Sequence, residues 1–383
     1  MTNLSIELTR FFAQEFFKGS VAGEDASLAA LSLCDSMHGV IHFNETHRYA
    51  IRPDAAALLS TRQARDPDSA LARPHQLIRD SGAGRDGSGA AATNHHFCNH
   101  KTIDDVDQQL DEETRVEAEH MRRDASALRS AAIMGGAPTV KKRGLETNKG
   151  VEMMVVSDYE RYQVWGNQTE LSILVFVNNV DSLLRSNKIL PDPYTLRATL
   201  VGTYTATSPM WAPSNATVNE IHVQFCQWRR DWMTDPAFAG TFIATTAHTQ
   251  LLTGRSLGGV LWVSGMCYSL YSCSVAPGVK IPVMAGLGMG MTHELAHNLG
   301  AYHDNIGMST CNSTDYIKSP YYCGSCQQQP AAFSNCSINE MRTVLGSRAT
   351  CLDTIASPRC GFVARGSSRE IRLFGVSKFF STR

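Results

Sequence analysis

The chain has 383 residues, 43 % of them hydrophobic, and a formal net charge of −1 from 35 Lys and Arg against 36 Asp and Glu. Balanced charge gives no electrostatic case for nucleic acid, and ordinary apolar content excludes wholesale disorder. The longest clean apolar stretches, such as Ile173 to Val177, fall far short of the roughly 20 residues that span a bilayer, so no transmembrane helix is expected.

The length allows two compact domains. MTNLSIELTRFF lacks a basic start followed by a long apolar core, so a signal peptide is not visible and the true start is expected upstream of Met1. HGVIHFNETHRYAIRP (38–53) alternates around a polar turn and predicts a β-hairpin. RDSGAGRDGSGAAATN (79–94) is aperiodic and small, a linker or exposed loop. Residues 104–124 are mostly charged, a solvated helix or no fixed structure, and Lys141-Lys142-Arg143 closes this first region.

The texture then changes. VEMMVVSD (151–158) predicts a buried strand, and Ile173, Phe176, Val177, Val180, Leu183 and Leu184 recur at helical spacing. TLRATLVGTYTA (195–206) is a further strand, and Val218, Ile221, Phe225, Trp228 and Trp232 mark a second helix. Two strands are expected within 248–265, then a third helix carrying histidines, then a helix from Ser337 with Glu340 as its capping-box partner. Strands alternating with helices indicate an α/β domain.

Three of the chain's 13 histidines stand in MTHELAHNLGAYHD (291–304). On a helix His293 and His297 share one face and can reach a single ion. Gly300 permits a positive φ that ends the helix and returns the chain, bringing His303 as a third ligand. Three imidazoles leave zinc's fourth position for water, the arrangement of a catalytic site, with Glu294 within reach of that water. A surface helix with chance histidines is the bland alternative, which the extended H-E-x-x-H-x-x-G-x-x-H spacing disfavours.

Eleven cysteines, nine of them after residue 220, read as a bridged secreted domain. Sequons begin at Asn3, Asn44, Asn167, Asn215, Asn312 and Asn335, each weak alone.

THELAHNLGAYHD resembles the zinc signature of the metzincin metalloproteases, in the adamalysin or reprolysin branch, where Asp follows the third histidine as Asp304 does here. ETNKGVEMMVVSDYERY resembles the opening of the reprolysin catalytic domain, FSNCS and CLD its close, and FCQWRR with GMC and SC the ADAMTS side of the family. LSLCDSMHGVIHFNETHRYAIRP and PHQLIR resemble a reprolysin prodomain. The resemblance implies an α/β metzincin fold: a mixed, mostly parallel twisted sheet with an active-site helix, preceded by a smaller β-rich prodomain. It implies boundaries of 1–143 for the prodomain, 144–357 for the protease and 358–383 for a tail without assigned role.

The implied activity is that of a secreted zinc endopeptidase made as a zymogen, acting on protein substrates. Zn²⁺ is held by His293, His297 and His303, Glu294 is general base, and Asp304 orients the turn. Substrate lies along the GGVLWV edge as an added strand. A proprotein convertase would cut after Lys141-Lys142-Arg143. The implied disulfides are Cys226–Cys273, Cys267–Cys351 and Cys311–Cys336. Cys323, Cys326 and Cys360 are left without assigned partners. Cys98, in NHHFCNHK, is the candidate zymogen switch, its thiolate taking zinc's fourth position; the other reading pairs it with Cys34 in a disulfide.

The chain also departs from the family pattern. The methionine that the family places under the zinc site, in a tight turn before FSNCS, is missing from YYCGSCQQQPAA (321–332). Glu152 matches a family calcium ligand, but Thr249 and Thr354 stand where Asp or Asn is common, which counts against a Ca²⁺ site. A zinc-binding but inactive relative, acting as a binding or decoy protein, is therefore the alternative function.

Overall fold

The computed structural model describes residues 142–353 apart from 211–214, 237–245, 256, 258, 277–283, 305–310, 312–315 and 321–330; outside that span it describes 6–10, 16–21, 24–32, 38–42, 48–53, 75–79, 98–101, 119, 122–123, 362–367 and 370–375. Two sheets organise these residues.

The first sheet contains β1 (Ile6–Arg10), β2 (Phe16–Val21), β3 (Glu24–Ser32), β4 (His38–His42), β5 (Arg48–Pro53) and β6 (His75–Arg79), each antiparallel to the next. The expected hairpin at 38–53 is β4–β5, with His42 opposite Arg48. Beyond Arg79 the 79–94 linker lies outside the described residues. So does most of 104–124, where Glu119, Arg122 and Arg123 are helical and exposed.

The second sheet contains β7 (Cys98–Lys101), β8 (Lys149–Ser157), β9 (Leu196–Ala206), β10 (His248–Leu252), β11 (Gly259–Trp262), β12 (Cys273–Ala276), β13 (Phe362–Ser367) and β14 (Glu370–Gly375), in the order β14-β13-β9-β8-β10-β12-β11-β7. From β13 to β12 every pair is parallel; β11 reverses against β12, and β14 against β13. The fold is α/β with a mixed, mostly parallel sheet. Parallel strands are covered on both faces, which is why β8 reads as an unbroken apolar run and is buried at all positions but Glu152. The short β12 follows a cysteine-bearing loop and has no alternation to mark it as a strand. Part of the tail supplies β13 and β14 at the far edge.

The helices that pack with the sheets among the described residues are α1 (Lys142–Leu145), α2 (Tyr159–Trp165), α3 (Thr169–Ser186), α4 (Val218–Thr234), α5 (Met284–Asn298) and α6 (Asn335–Ser347). The apolar stripe of α3 is fully buried and packs with α5, α6 and strands β8 and β9 in one core. On the other face α4 sets Ile221 and Phe225 against Tyr204, Val260, Trp262 and Tyr271. Thr217 and Glu220 close a capping box at the start of α4.

The capping box expected at Ser337 and Glu340 does not form. Helix α6 starts three residues earlier on Ser334, whose Oγ accepts from Ser337 N at 3.1 Å. Glu340 turns away to accept from Tyr302 N at 2.8 Å. A tertiary donor outcompetes the local one here.

The first sheet rests on α3. Val40 and Ala50 join the main core, Asn178 Nδ2 donates to Leu31 O at 3.0 Å, and His42 Nε2 lies 3.1 Å from Asn179 Oδ1.

Candidate metal centre

Helix α5 is buried at every position from Gly288 to Asn298, so its histidines face protein on all sides. The helix ends where Gly300 adopts φ 108, a conformation that a β-carbon would strain. Gly300 N donates to His297 O at 2.8 Å and Ala301 N to Ala296 O at 2.9 Å, the wrapped end expected of a Schellman-type turn. The chain doubles back, and His303 arrives beside the helix.

There His303 Nε2 lies 3.2 Å from His293 Nε2 and 3.1 Å from His297 Nε2. The outer nitrogens explain why the inner ones converge. His293 Nδ1 donates to Ile317 O at 2.7 Å, and His297 Nδ1 donates to Ala301 O at 2.6 Å. A carbonyl only accepts, so each of these rings carries its proton on Nδ1 and turns an Nε2 lone pair inward. Lone pairs so close repel unless a cation or proton lies between them. Three imidazole nitrogens on one point suit zinc in both chemistry and number.

Glu294, fully buried, stands beside this trio. Strand β11 approaches it so closely that a β-carbon on Gly259 would sit 1.9 Å from Glu294 Oε1. Only glycine leaves the carboxylate its place. Ser264 N and Met266 N donate to His297 O and Asn298 O, at 3.0 and 3.1 Å, while Asn298 Nδ2 reaches Trp262 O and Tyr271 O. Arg348 braces the same loop through Ser264 O and Met266 O.

Asp304 supports the turn. Its N donates to Lys318 O at 2.9 Å, and its Oδ1 accepts from Ser334 Oγ at 2.6 Å and Ser337 Oγ at 3.3 Å. Nearby, burial pushes the Glu340 carboxyl up to about 7, against the opposing pull of the Tyr302 N–H.

Beneath His293 runs a tight turn, Tyr316 to Ser319, closed by Ser319 N donating to Tyr316 O at 3.0 Å. Sequence reading put the missing methionine of the family in 321–332. The structure instead sets Lys318 under the site, fully buried, with Nζ donating to His293 O at 3.1 Å. Chain-order proximity to FSNCS misplaced that turn.

Disulfides join Cys226 to Cys273, Cys267 to Cys351 and Cys311 to Cys336. They tie α4 to β12, the loop after β11 to the domain end, and the segment after His303 to α6. Cys34, Cys323, Cys326 and Cys360 lie outside the described residues, and Cys98 is described in its backbone alone. Thr249 Oγ1 accepts from the Arg229 guanidinium at 2.9 Å, a cationic neighbour and a poor setting for calcium. Thr354 lies outside the described residues.

The profile of the Reprolysin (M12B) family zinc metalloprotease matches residues 149–355, which include the histidine trio, Glu294 and the disulfides named above. The chain belongs to the reprolysin family. This reprolysin is 24 % identical over 71 % of its length to "A disintegrin and metalloproteinase with thrombospondin motifs adt-1" of Caenorhabditis elegans, of which it spans 19 %. It is 25 % identical over 85 % of its length to human "Disintegrin and metalloproteinase domain-containing protein 33", spanning 34 % of it. With "Zinc metalloproteinase recombinant fibrinogenase II" of Deinagkistrodon acutus it shares 28 % identity over 36 % of the chain and 59 % of that protein. The chain thus spans less than two thirds of each of these relatives.

Three residues of this reprolysin's site escape sequence reasoning. Gly259 had a signal, a Gly-Gly pair before a strand; Asn298 had a weaker one, a polar residue inside an apolar run. Lys318 had none, because a loop lysine reads as exposed.

Proposed function

We propose that this reprolysin is a zinc-dependent endopeptidase made as a zymogen and acting on extracellular proteins. The observation that carries the reading is the convergence of three Nε2 atoms beside a buried carboxylate next to a sheet edge. Zinc held by His293, His297 and His303 would supply Lewis acidity, polarising a scissile carbonyl and acidifying a water. Glu294 takes that water's proton as its oxygen adds to the carbonyl carbon, then gives it to the nitrogen as the C–N bond breaks. A peptide added along β11 would be aligned by main-chain hydrogen bonds.

Residues 1–143 act in this reading as the prodomain. Its support is β7, which pairs with that edge of β11 and runs parallel to it, with Cys98 opposite Gly259. A Cys98 thiolate as fourth zinc ligand would exclude the water that Glu294 needs. Three disulfides suit an oxidising, extracellular setting. A convertase would cut after Arg143. Residues 142–145 form a helical turn in which Gly144 abuts Gly346, so that turn must open first.

The test uses the full chain, Glu294→Gln and Cys98→Ala, assayed on a denatured protein with and without a zinc chelator. Glu294→Gln should keep its zinc and lose about 10²–10⁴-fold in rate. Unchanged activity would end the mechanism. Cys98→Ala should be active before any cut at Arg143; a Cys34–Cys98 bridge in a non-reduced peptide map would end the switch. A zinc-binding but inactive decoy is the second reading, favoured by Lys318 in the turn under His293, and the wild-type assay after processing and separation of the two fragments decides it.

A further inference from the structure

Among the described residues the disulfides differ in how far solvent reaches them. Cys226 and Cys273 are both buried, and Cys311 and Cys336 are both half-buried. The bridge from Cys267 to Cys351 ends at the surface, with Cys351 exposed and Cys267 half-buried. A thiolate from outside reaches that bridge ahead of the other two.

The same bridge is anchored on strained backbone. Cys267 adopts φ 70 and Ser264 φ 61, the left-handed region that glycine favours. Each stands third in a four-residue turn. Gly265 N donates to Trp262 O at 3.4 Å around Ser264, and Tyr268 N donates to Gly265 O at 3.1 Å around Cys267. A residue with a β-carbon keeps such a conformation where its surroundings impose it. Ser264 is held by its N, which donates to His297 O at 3.0 Å, and by its O, which accepts from Arg348. Cys267 is held by its covalent tie to Cys351.

That tie reaches the end of the histidine-bearing helix. Met266 O shares a peptide unit with Cys267 N and accepts from Arg348 Nη1 at 2.6 Å, while Met266 N donates to Asn298 O at 3.1 Å. A change of φ at Cys267 turns this peptide unit. The contacts that fix the last carbonyls of α5 turn with it.

We propose that Cys267–Cys351 is a thiol–disulfide exchange site for a protein dithiol reductant, and that opening it lets the loop 262–268 relax from the end of α5. One thiolate of the dithiol attacks Cys351 Sγ, forming a mixed disulfide as the bond to Cys267 Sγ breaks and Cys267 leaves as a thiolate. The second thiol of the reductant then displaces Cys351. The two cysteines gain two electrons and the two protons that the dithiol gives up, and the dithiol becomes a disulfide.

The test uses the full chain. Its free thiols are blocked with one alkylating reagent, graded dithiothreitol is added briefly, and newly opened cysteines take a heavier reagent before peptide mapping. Cys267 and Cys351 should gain the heavy label at least about tenfold faster than Cys226, Cys273, Cys311 or Cys336. In the selectively opened protein, peptides covering 262–268 should exchange amide hydrogens at least about tenfold faster, while β8 and α3 keep their protection. Another bridge opening as fast overturns the exchange site. A loop that exchanges as before overturns its coupling to α5, and lost protection in β8 and α3 makes the bridge a plain staple and overturns the switch. Cys267→Ala with Cys351→Ala repeats the exchange measurement without the bulk of the label, and the labelling order needs no variant. Neither readout needs zinc or substrate, so failure here leaves the metal centre and the peptidase reading standing.

Discussion

At the scale of single residues, Gly259 shows how little slack the site has. Any β-carbon there must displace the Glu294 carboxylate or push β11 away from α5. Gly259→Ala should therefore keep zinc, because the three imidazoles are held by Ile317, Ala301 and the Gly300 turn. Its peptidase rate should fall about 10²-fold, the usual cost of moving a catalytic group by an ångström. Metal content by elemental analysis, read beside the rate, checks the separation. A normal rate would mean that Glu294 has room the packing does not show.

At the scale of elements, the start of α6 carries more than a cap. Ser334 Oγ accepts from Ser337 N and donates to Asp304 Oδ1 at 2.6 Å, so one hydroxyl both starts a helix and secures the turn after His303. Thr217, an exposed cap on α4, does only the first. Thr217→Ala should cost about 1 kcal/mol. Ser334→Ala should cost about 2–3 kcal/mol, since it also removes a buried bond to a carboxylate. Urea unfolding of the disulfide-intact protein measures both, and equal losses would show that the Asp304 contact adds nothing. This is also where sequence reading erred by three residues. Ser337 and Glu340 match a capping box, yet both side chains are taken by the His303 turn.

At the scale of the whole molecule, the first sheet and β7 meet the reprolysin-matched region, residues 149–355, at two separate places. One is the face of α3, where Val40 and Ala50 enter the main core and Asn178 and Asn179 meet Leu31 O and His42. The other is the β11 edge. A cut after Arg143 severs neither. The two fragments should co-elute in size-exclusion chromatography under native conditions and separate in denaturant. Immediate separation after cleavage would show that the chain connection, rather than the two contacts, holds them together.

Much of this protein could be read locally. Buried parallel strands show as apolar runs, amphipathic helices show a repeating face, and ligand spacing is a property of one helix and one glycine; so β8, β9, α3, α4 and His293, Glu294, His297 and His303 stand out in the chain itself. What local pattern cannot carry is a preference settled between distant segments. The pairing of β7 with β11, the glycine that Glu294 demands 35 residues earlier, and the turn that slips Lys318 under His293 each join positions far apart in the chain. Only the packed molecule chooses among such contacts, because burial makes an unmet donor or a misplaced β-carbon costly whatever the neighbouring residues favour.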